Sequence, residues 1–599
     1  MSGQGGDALA GLGAVGVQRL SGISLPQPTP VAPGAPASPA EWAASGLLGE
    51  EAPAPASAAQ QRTDASAEPV FDETATSDIQ GNVIPGFNKD HQRFLFFTAA
   101  DAPRAREWLR GLAPRLSSMR EVLDFRREFR RERLESGSAT PTKTATWTAL
   151  AVSASAVVKL LGEDALARFG DGAFRQGMAA RSTFLGDPAD PEAPGHRDGW
   201  KVGGSGTEAD FVVIVASDSL DELEAAASGI IAEAERLAVT LTFDQLGENL
   251  PGNLAGHEHF GFKDGVSQPG VRGATVDGED ISPRYLDPRN PHSRIFGKPG
   301  QPLVWPGQFV VGWPRQSPAD PLVAAEASDA FPDWARNGSY LVFRRLTQDV
   351  PAFWDFAARA AQAHGTDPVH FASMMVGRWP SGAPISRTPE GDDVALAGDE
   401  FAHNHFQFDD DTTAWMPSPE LSRAGYPGDG HPRARADLFG QACPVAGHIR
   451  KVNPRDSATD FGAPADTFLR LMLRRGIPFG PPLAGVAGPS PELVETERGL
   501  LFAAYMTSIE DQFEFVVRRW ANSSLQPNVG GHDPIIGQAD VYGDRTRHID
   551  LPAASGEATR VAIEQEFVTA TGGGYFFAPG ISAVADVLGA EPAGGGSPG

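Results

Sequence analysis

Three side-chain types on three sharply turned segments carry the parts of an oxidative reaction. Residues 261 to 265 read Gly-Phe-Lys-Asp-Gly, so the Asp264 carboxylate is held where glycines let the backbone approach a ligand closely. Cys443-Pro-Val-Ala-Gly-His448-Ile-Arg-Lys-Val-Asn-Pro-Arg455 sets an imidazole in a proline-bounded run, and Leu473-Arg474-Arg475-Gly-Ile-Pro-Phe-Gly480 supplies two guanidinium groups. A neutral imidazole is a usual axial donor to haem iron. A carboxylate within reach can take a proton from one peroxide oxygen and return it to the other, while a guanidinium stabilises negative charge on the departing oxygen. One imidazole, one carboxylate and one arginine are therefore the parts needed to hold a haem and split a peroxide on it. Residue type alone leaves alternatives open. The chain has 13 histidines, an Asp-Gly pair is an ordinary turn, and Cys443 offers either a thiolate ligand or a plain buried thiol.

Such groups have to be positioned by folded elements, and the 599 residues leave ample room for two domain-sized halves. Arg93 to Thr98 reads as a buried strand and Ala102 to Leu116 as an amphipathic helix. Thr146 to Val152 and Asp210 to Ala216 are further β-rich runs, and Ser219 to Leu237 is a long helical pattern with a serine start. The theme repeats: Gln308 to Gly312 and Ser339 to Arg344 read as strands, and Val350 to His364 as a helix. Strand–helix–strand units recurring twice predict an α+β fold of two ferredoxin-like halves, antiparallel sheets flanked by helices. Segments 271 to 305 and 381 to 440, rich in Gly, Pro and Asp, read as surface insertions.

The ordered motifs resemble the dye-decolorizing peroxidase (DyP-type) family. Its Gly-x-x-Asp-Gly signature matches Gly261, Asp264 and Gly265; its Cys-Pro-x-x-x-His-x-Arg-Lys-x-Asn-Pro-Arg stretch matches 443 to 455; its Arg-Arg-Gly-Ile-Pro-Phe-Gly stretch matches 474 to 480. The resemblance implies a duplicated α+β fold of barrel-like type and haem b as cofactor. It implies His448 as the iron ligand, Asp264 as the acid–base group and Arg474 as the arginine beside the peroxide. Arg450, Arg455, Arg475 and Phe262 then become candidates for contact with the haem, the arginines as partners of its propionates. Hydrogen peroxide and an aromatic electron donor, a dye or a phenol, are the implied substrates. A haem-handling or haem-sensing protein of the same fold, or a cargo docked on a shell or partner, is the alternative.

On this reading residues 1–70 form a disordered Ala/Pro/Gly-rich extension, 71–300 a half carrying the distal Asp, 301–587 a half carrying the ligand, and 588–599 a flexible tail. The flexible ends could dock a partner or accompany a homo-oligomer. The net charge of -26 argues against nucleic acid or an anionic membrane as partner. The single cysteine rules out an internal disulfide framework. No stretch reaches the roughly 20 apolar residues of a membrane span, and neither a secretory nor a twin-arginine leader is recognisable, so a cytoplasmic location is expected. Several smaller features complete the expectations. His257-Glu258-His259 imitates a metal site without an evident third ligand, and Asp409 to Asp411 reads as a solvated acidic loop. Trp379 and Trp415 are candidate electron relays whose simpler reading is burial. The stretch Tyr505 to Phe515 resembles the family's region near the ligand histidine, where some members carry an aspartate at the place of Ser508. Glu510, Asp511 or another acid is left as the histidine's hydrogen-bond partner.

Overall fold

The computed structural model describes residues 68–136, 144–284, 294–409, 430–461, 465–483, 490–552 and 558–591. The expected extension up to residue 67, the tail from 592, Trp415, and Asp410 and Asp411 of the acidic loop lie outside these.

Nine strands form one antiparallel sheet. The first half of the chain supplies β1 (His91–Ala99), β2 (Trp147–Ser153), β3 (Phe211–Ser217) and β4 (Val239–Glu248), with helices α1 (Ala102–Leu112) and α2 (Leu220–Arg236). The second half supplies β5 (Ser339–Gln348), helix α3 (Val350–His364), β6 (Leu473–Arg474), β7 (Ile477–Phe479), β8 (Gly499–Met506) and β9 (Val568–Ala578). The sheet order is β6-β8-β5-β9-β2-β3-β1-β4, with β7 also paired to β8. Within the first half this is fourth, first, third, second strand, the ferredoxin-like arrangement. The second half repeats it, with β9, β5, β8 and the β6/β7 pair in the same four places.

The two halves join through β9 and β2, where Phe576 faces Ser153 and Phe577 faces Val152. At the other margin β4 curls against β7. A Cβ on Gly247 would stand only 2.5 Å from Ile477 Cγ2, yet no ladder links these strands among the described residues. The sheet is thus continuous in hydrogen bonding between the halves and only packed, not closed, at its far margin.

Alternation along the strands fills both faces. On β1, Leu95 and Phe97 join the core under the helices, whereas Phe94 and Phe96 point inward. There Phe96 meets Phe343 at 5.0 Å between ring centroids and Phe576 at 6.2 Å, so rings from both halves fill the interior. Helix α1 starts where Asp101 accepts from the Arg104 amide, and it buries Ala105, Trp108, Leu109 and Leu112, one stripe at helical spacing. Helix α2 is capped by Ser219 and buries Leu223, Ala227, Ile230 and Ala234.

Two expectations differ from the structure. Gln308 to Gly312 is buried but is not a strand: a short helical turn at Pro306–Gln308 leads into a loop, and Gly312 takes φ 84°. Its apolarity reflects burial, since Phe309 and Val310 are fully covered. The segments at 271–305 and 381–440 are not purely superficial either. Val271, Leu303 and Val304 are buried in the first, and Ala383, Ile385, Leu396, Phe406 and Phe408 of the second form a small core with Trp379 and Cys443.

Candidate active site

Asp264, His448 and Arg474 come from three different stretches, and the fold delivers each from its own element. Asp264 ends a hairpin between β4 and β5, where its amide donates to Gly256 O (2.9 Å) and Glu258 N donates to Phe262 O (3.0 Å). Gly261 takes φ 94° at the turn and Gly265 φ 73° just beyond Asp264, conformations open to glycine. Although it precedes the second half in sequence, this hairpin docks on α3. Phe260 stacks on Phe353 at 4.3 Å, Phe262 lies parallel to Trp354, and Trp354 Nε1 donates to Phe260 O.

His448 opens helix α4 (His448–Val452), inserted between α3 and β6. Arg474 ends β6, opposite Ala504 on β8, with its amide donating to Gln268 Oε1 and Nη2 donating to Ser267 O (2.9 Å). Ser267 and Gln268 follow Asp264 by a few residues, so one loop orients both the carboxylate and the guanidinium.

His448 Nδ1 lies 2.7 Å from Asp533 Oδ2. The Asp533 carboxylate is fully buried, while the His448 side chain keeps 26% exposure. Asp533 sits in the turn after the helical segment Val516–Ala521, and its other oxygen accepts from the Ile535 and Ile536 amides. Burial would raise the pKa of this carboxyl, but the His448 imidazole and those amides hold it below the usual range. For His448, burial acts to lower the value, and Asp533 outweighs it and raises the imidazole. Arg474 acts on the same ring in the lowering sense and Asp264 in the raising sense. The three motif residues therefore meet in one electrostatic neighbourhood.

An ionised Asp533 makes Nδ1 the donor and leaves Nε2 as a lone-pair donor on the accessible side of the ring, the arrangement of an axial histidine. This donor set fits a haem. Asp533 was not anticipated: the expected partners lay near 508 to 511, but Ser508 caps the segment Ile509–Glu514 through the Asp511 amide. A histidine–aspartate turn 85 residues downstream of His448 has no pattern of its own to reveal it.

The remaining candidates are placed otherwise. Arg450 Nη1 donates to Asp437 Oδ2 and Cys443 O, committing it to the loop before the histidine rather than to a haem carboxylate. Arg475, just past the end of β6, donates to the carbonyls of Asn82, Val83 and Pro85, partners different from the Ser267 carbonyl that Arg474 takes. Arg455 donates to the Asn404 and Phe406 carbonyls and lies 3.7 Å over the Phe406 ring. Phe262 is buried in the aromatic cluster on α3. Cys443 is fully buried and its thiol is pushed up to about 12 by burial, which disfavours a thiolate ligand. His259 Nε2 bonds Phe479 O and His257 Nδ1 bonds Ala255 O, so these rings are used structurally, and no metal-holding group occurs among the described residues. Trp379 is buried with Nε1 donating to Thr388 O.

A duplicated ferredoxin-like sheet with a carboxylate-backed histidine, an aspartate and an arginine defines a class of α+β peroxidase. The sequence profile of the DyP dimeric alpha+beta barrel domain matches residues 78–242. Peroxidase 2 of Mycetinis scorodonius is 30% identical over 525 residues, 86% of this chain and 87% of that protein. Dye-decolorizing peroxidase AauDyP1 of Auricularia auricula-judae is 29% identical, spanning 86% of this chain and 87% of its own. The crystal structure of AauDyP complexed with imidazole superposes with a TM-score of 0.63 at 28% identity, over 86% of this chain and all of that one. The chain belongs to the dye-decolorizing peroxidase family. It is an enzyme, a peroxidase, and the members of its family are haem proteins.

Proposed function

We propose that this chain holds haem b through His448, reduces hydrogen peroxide, and oxidises bulky aromatic donors such as dyes and phenols in one-electron steps. The observation that carries the reading is the His448–Asp533 hydrogen bond at 2.7 Å on a ring that also feels Asp264 and Arg474. Bound haem would supply the iron that receives a peroxide oxygen and would store the two oxidising equivalents until electrons from two donors discharge them. Asp533 fixes the His448 tautomer and strengthens its free nitrogen as a donor. Asp264 takes the proton from the peroxide oxygen next to the iron and returns it to the oxygen that leaves as water. Arg474 stabilises negative charge as the O–O bond parts, and its tether to Ser267 holds it in place beforehand. Each donor then gives up one electron, and two donors complete the reduction of one peroxide.

The test is stopped-flow mixing of hemin-loaded protein with hydrogen peroxide. Asp264→Ala is expected to slow the peroxide step by roughly 10²–10⁴-fold, and Arg474→Ala by about 10²–10³-fold. His448→Ala is expected to lose the haem absorption of the parent. An unchanged peroxide rate in Asp264→Ala would remove the acid–base role.

A further inference from the structure

Six residues before Asp264 lies a second carboxyl group that the reaction above does not use. Glu258 is half-buried inside the turn of the same hairpin. Its Oε2 accepts from the Phe260 amide (2.8 Å) and its Oε1 from the Phe262 amide (2.9 Å). Gln348, the last residue of β5, donates its side-chain N–H to Oε2. The carboxylate thus closes the turn from inside and pins it to the sheet. On the hairpin's outer side Phe260 and Phe262 are fixed to α3, and His259 is tied to Phe479 of β7. Removing the Glu258 carboxylate would leave two amides facing inward without an acceptor.

We propose that Glu258 is a positioning residue for Asp264, a clamp whose charge state governs how the hairpin presents the reacting carboxylate. The proposal rests on the reading of Asp264 as the acid–base group.

The charge state is adjustable at ordinary pH. Burial pushes the Glu258 carboxyl up to about 7, against the Phe260, Phe262 and Gln348 donors, and repulsion from Asp264 adds to the rise. Of the other ionisable groups nearby, His257 and His259 are lowered by burial, and Lys263 is lowered by burial and by Arg378. Arg498, beside the end of β5, is lowered by burial, with the Asp349 charge acting against the fall. Below the midpoint Glu258 is neutral: the clamp has lost its charged acceptor, and Asp264 has no like charge beside it. Above the midpoint the amides are held firmly, but a second negative charge stands near Asp264 and opposes the charge that builds on the departing oxygen. The peroxide step should therefore slow as Glu258 ionises.

Holoenzyme is compared as parent, Glu258→Gln, Gln348→Leu and Asp264→Asn, with two readouts across pH 5 to 9, the peroxide rate and hydrogen exchange at the Phe260 and Phe262 amides. In the parent, the rate is expected to fall through an inflection near neutrality, while amide protection rises through the same midpoint. Glu258→Gln should abolish both transitions. Gln348→Leu, which removes a donor that favours the ionised form, should move both to higher pH. A residue important only for folding would lower stability without moving a midpoint. The proposal is overturned if Glu258→Gln keeps the inflection, if Gln348→Leu leaves it in place, or if amide protection is flat. Should Glu258→Gln fail to fold, the Gln348→Leu shift decides alone. A parent-like peroxide rate in Asp264→Asn would sink the acid–base reading instead, while exchange at the two amides would still report the clamp.

Discussion

Asp533 shows how much one buried carboxylate can determine at the residue scale. It is fully covered, and the compensation for its lost hydration comes from the His448 imidazole and two backbone amides. Its folded-state value lies below the ordinary 3.8, so its contribution is present above that pH and lost as pH falls through the folded value. His448 is raised above 6.5, so its contribution is present below that pH and lost as pH rises through the folded value. In haem-free protein the pair therefore stabilises most between 3.8 and 6.5. Asp533→Asn is expected to cost about 2 kcal/mol of unfolding free energy there, and less once the pH has risen past the folded-state value of His448. Denaturant titrations at the two pH values measure the difference, and equal losses would contradict the pairing. The sequence made His448, Asp264 and Arg474 legible because each lies in a local motif. Asp533 was hidden because only the fold brings it to the histidine, and the protein partners of Arg450 and Arg475 were not readable because spacing along a chain does not say which way a guanidinium turns.

The elements that carry the site were readable where periodicity is strong. Three strands of the first half, α2 and α3 lie within a residue or two of their apolar patterns; a turn ends α1 early at Leu112, β5 runs on past Arg344 to Gln348, and β4 had no pattern that marked it as a strand. The hairpin at 256–264 was not readable as an element, since its form depends on Glu258, on glycines at positive φ and on partners in α3. Phe353 is the centre of that docking: Phe260 packs on it at 4.3 Å, Phe262 at 6.3 Å and Phe567 at 5.6 Å. Phe353→Ala should cost about 3–5 kcal/mol by leaving a cavity under the hairpin. Because His448 hangs from a different element, hemin binding should survive while the peroxide step slows. Loss of hemin affinity with an unchanged peroxide rate in the bound fraction would mean that α3 supports the ligand helix rather than Asp264.

At the scale of the whole molecule, two matched halves share one sheet and one interior, and aromatic rings from both meet at its centre. That framework is surrounded by strong negative charge, with 76 acidic against 50 basic residues. Close to the site the balance reverses. Arg378 is buried and Arg455 half-buried, and Arg378 is lowered to about 9, first by burial and then by the charges of Arg455 and Arg474. A charged donor thus approaches through a field of one sign toward a pocket edge of the other. Long-range fields are screened over about 30 Å at 0.01 M salt and about 10 Å at 0.1 M, whereas contacts inside the protein are screened far less. If the overall charge governs encounter, kcat/KM for a sulfonated anionic dye should rise several-fold from about 0.01 M to about 0.1 M salt, that for a cationic dye should fall, and a neutral phenol should change little. Steady-state rates with the three donors at fixed pH separate the two fields. A fall for the anionic dye would show that the buried arginines near Arg474, not the acidic surface, select the donor.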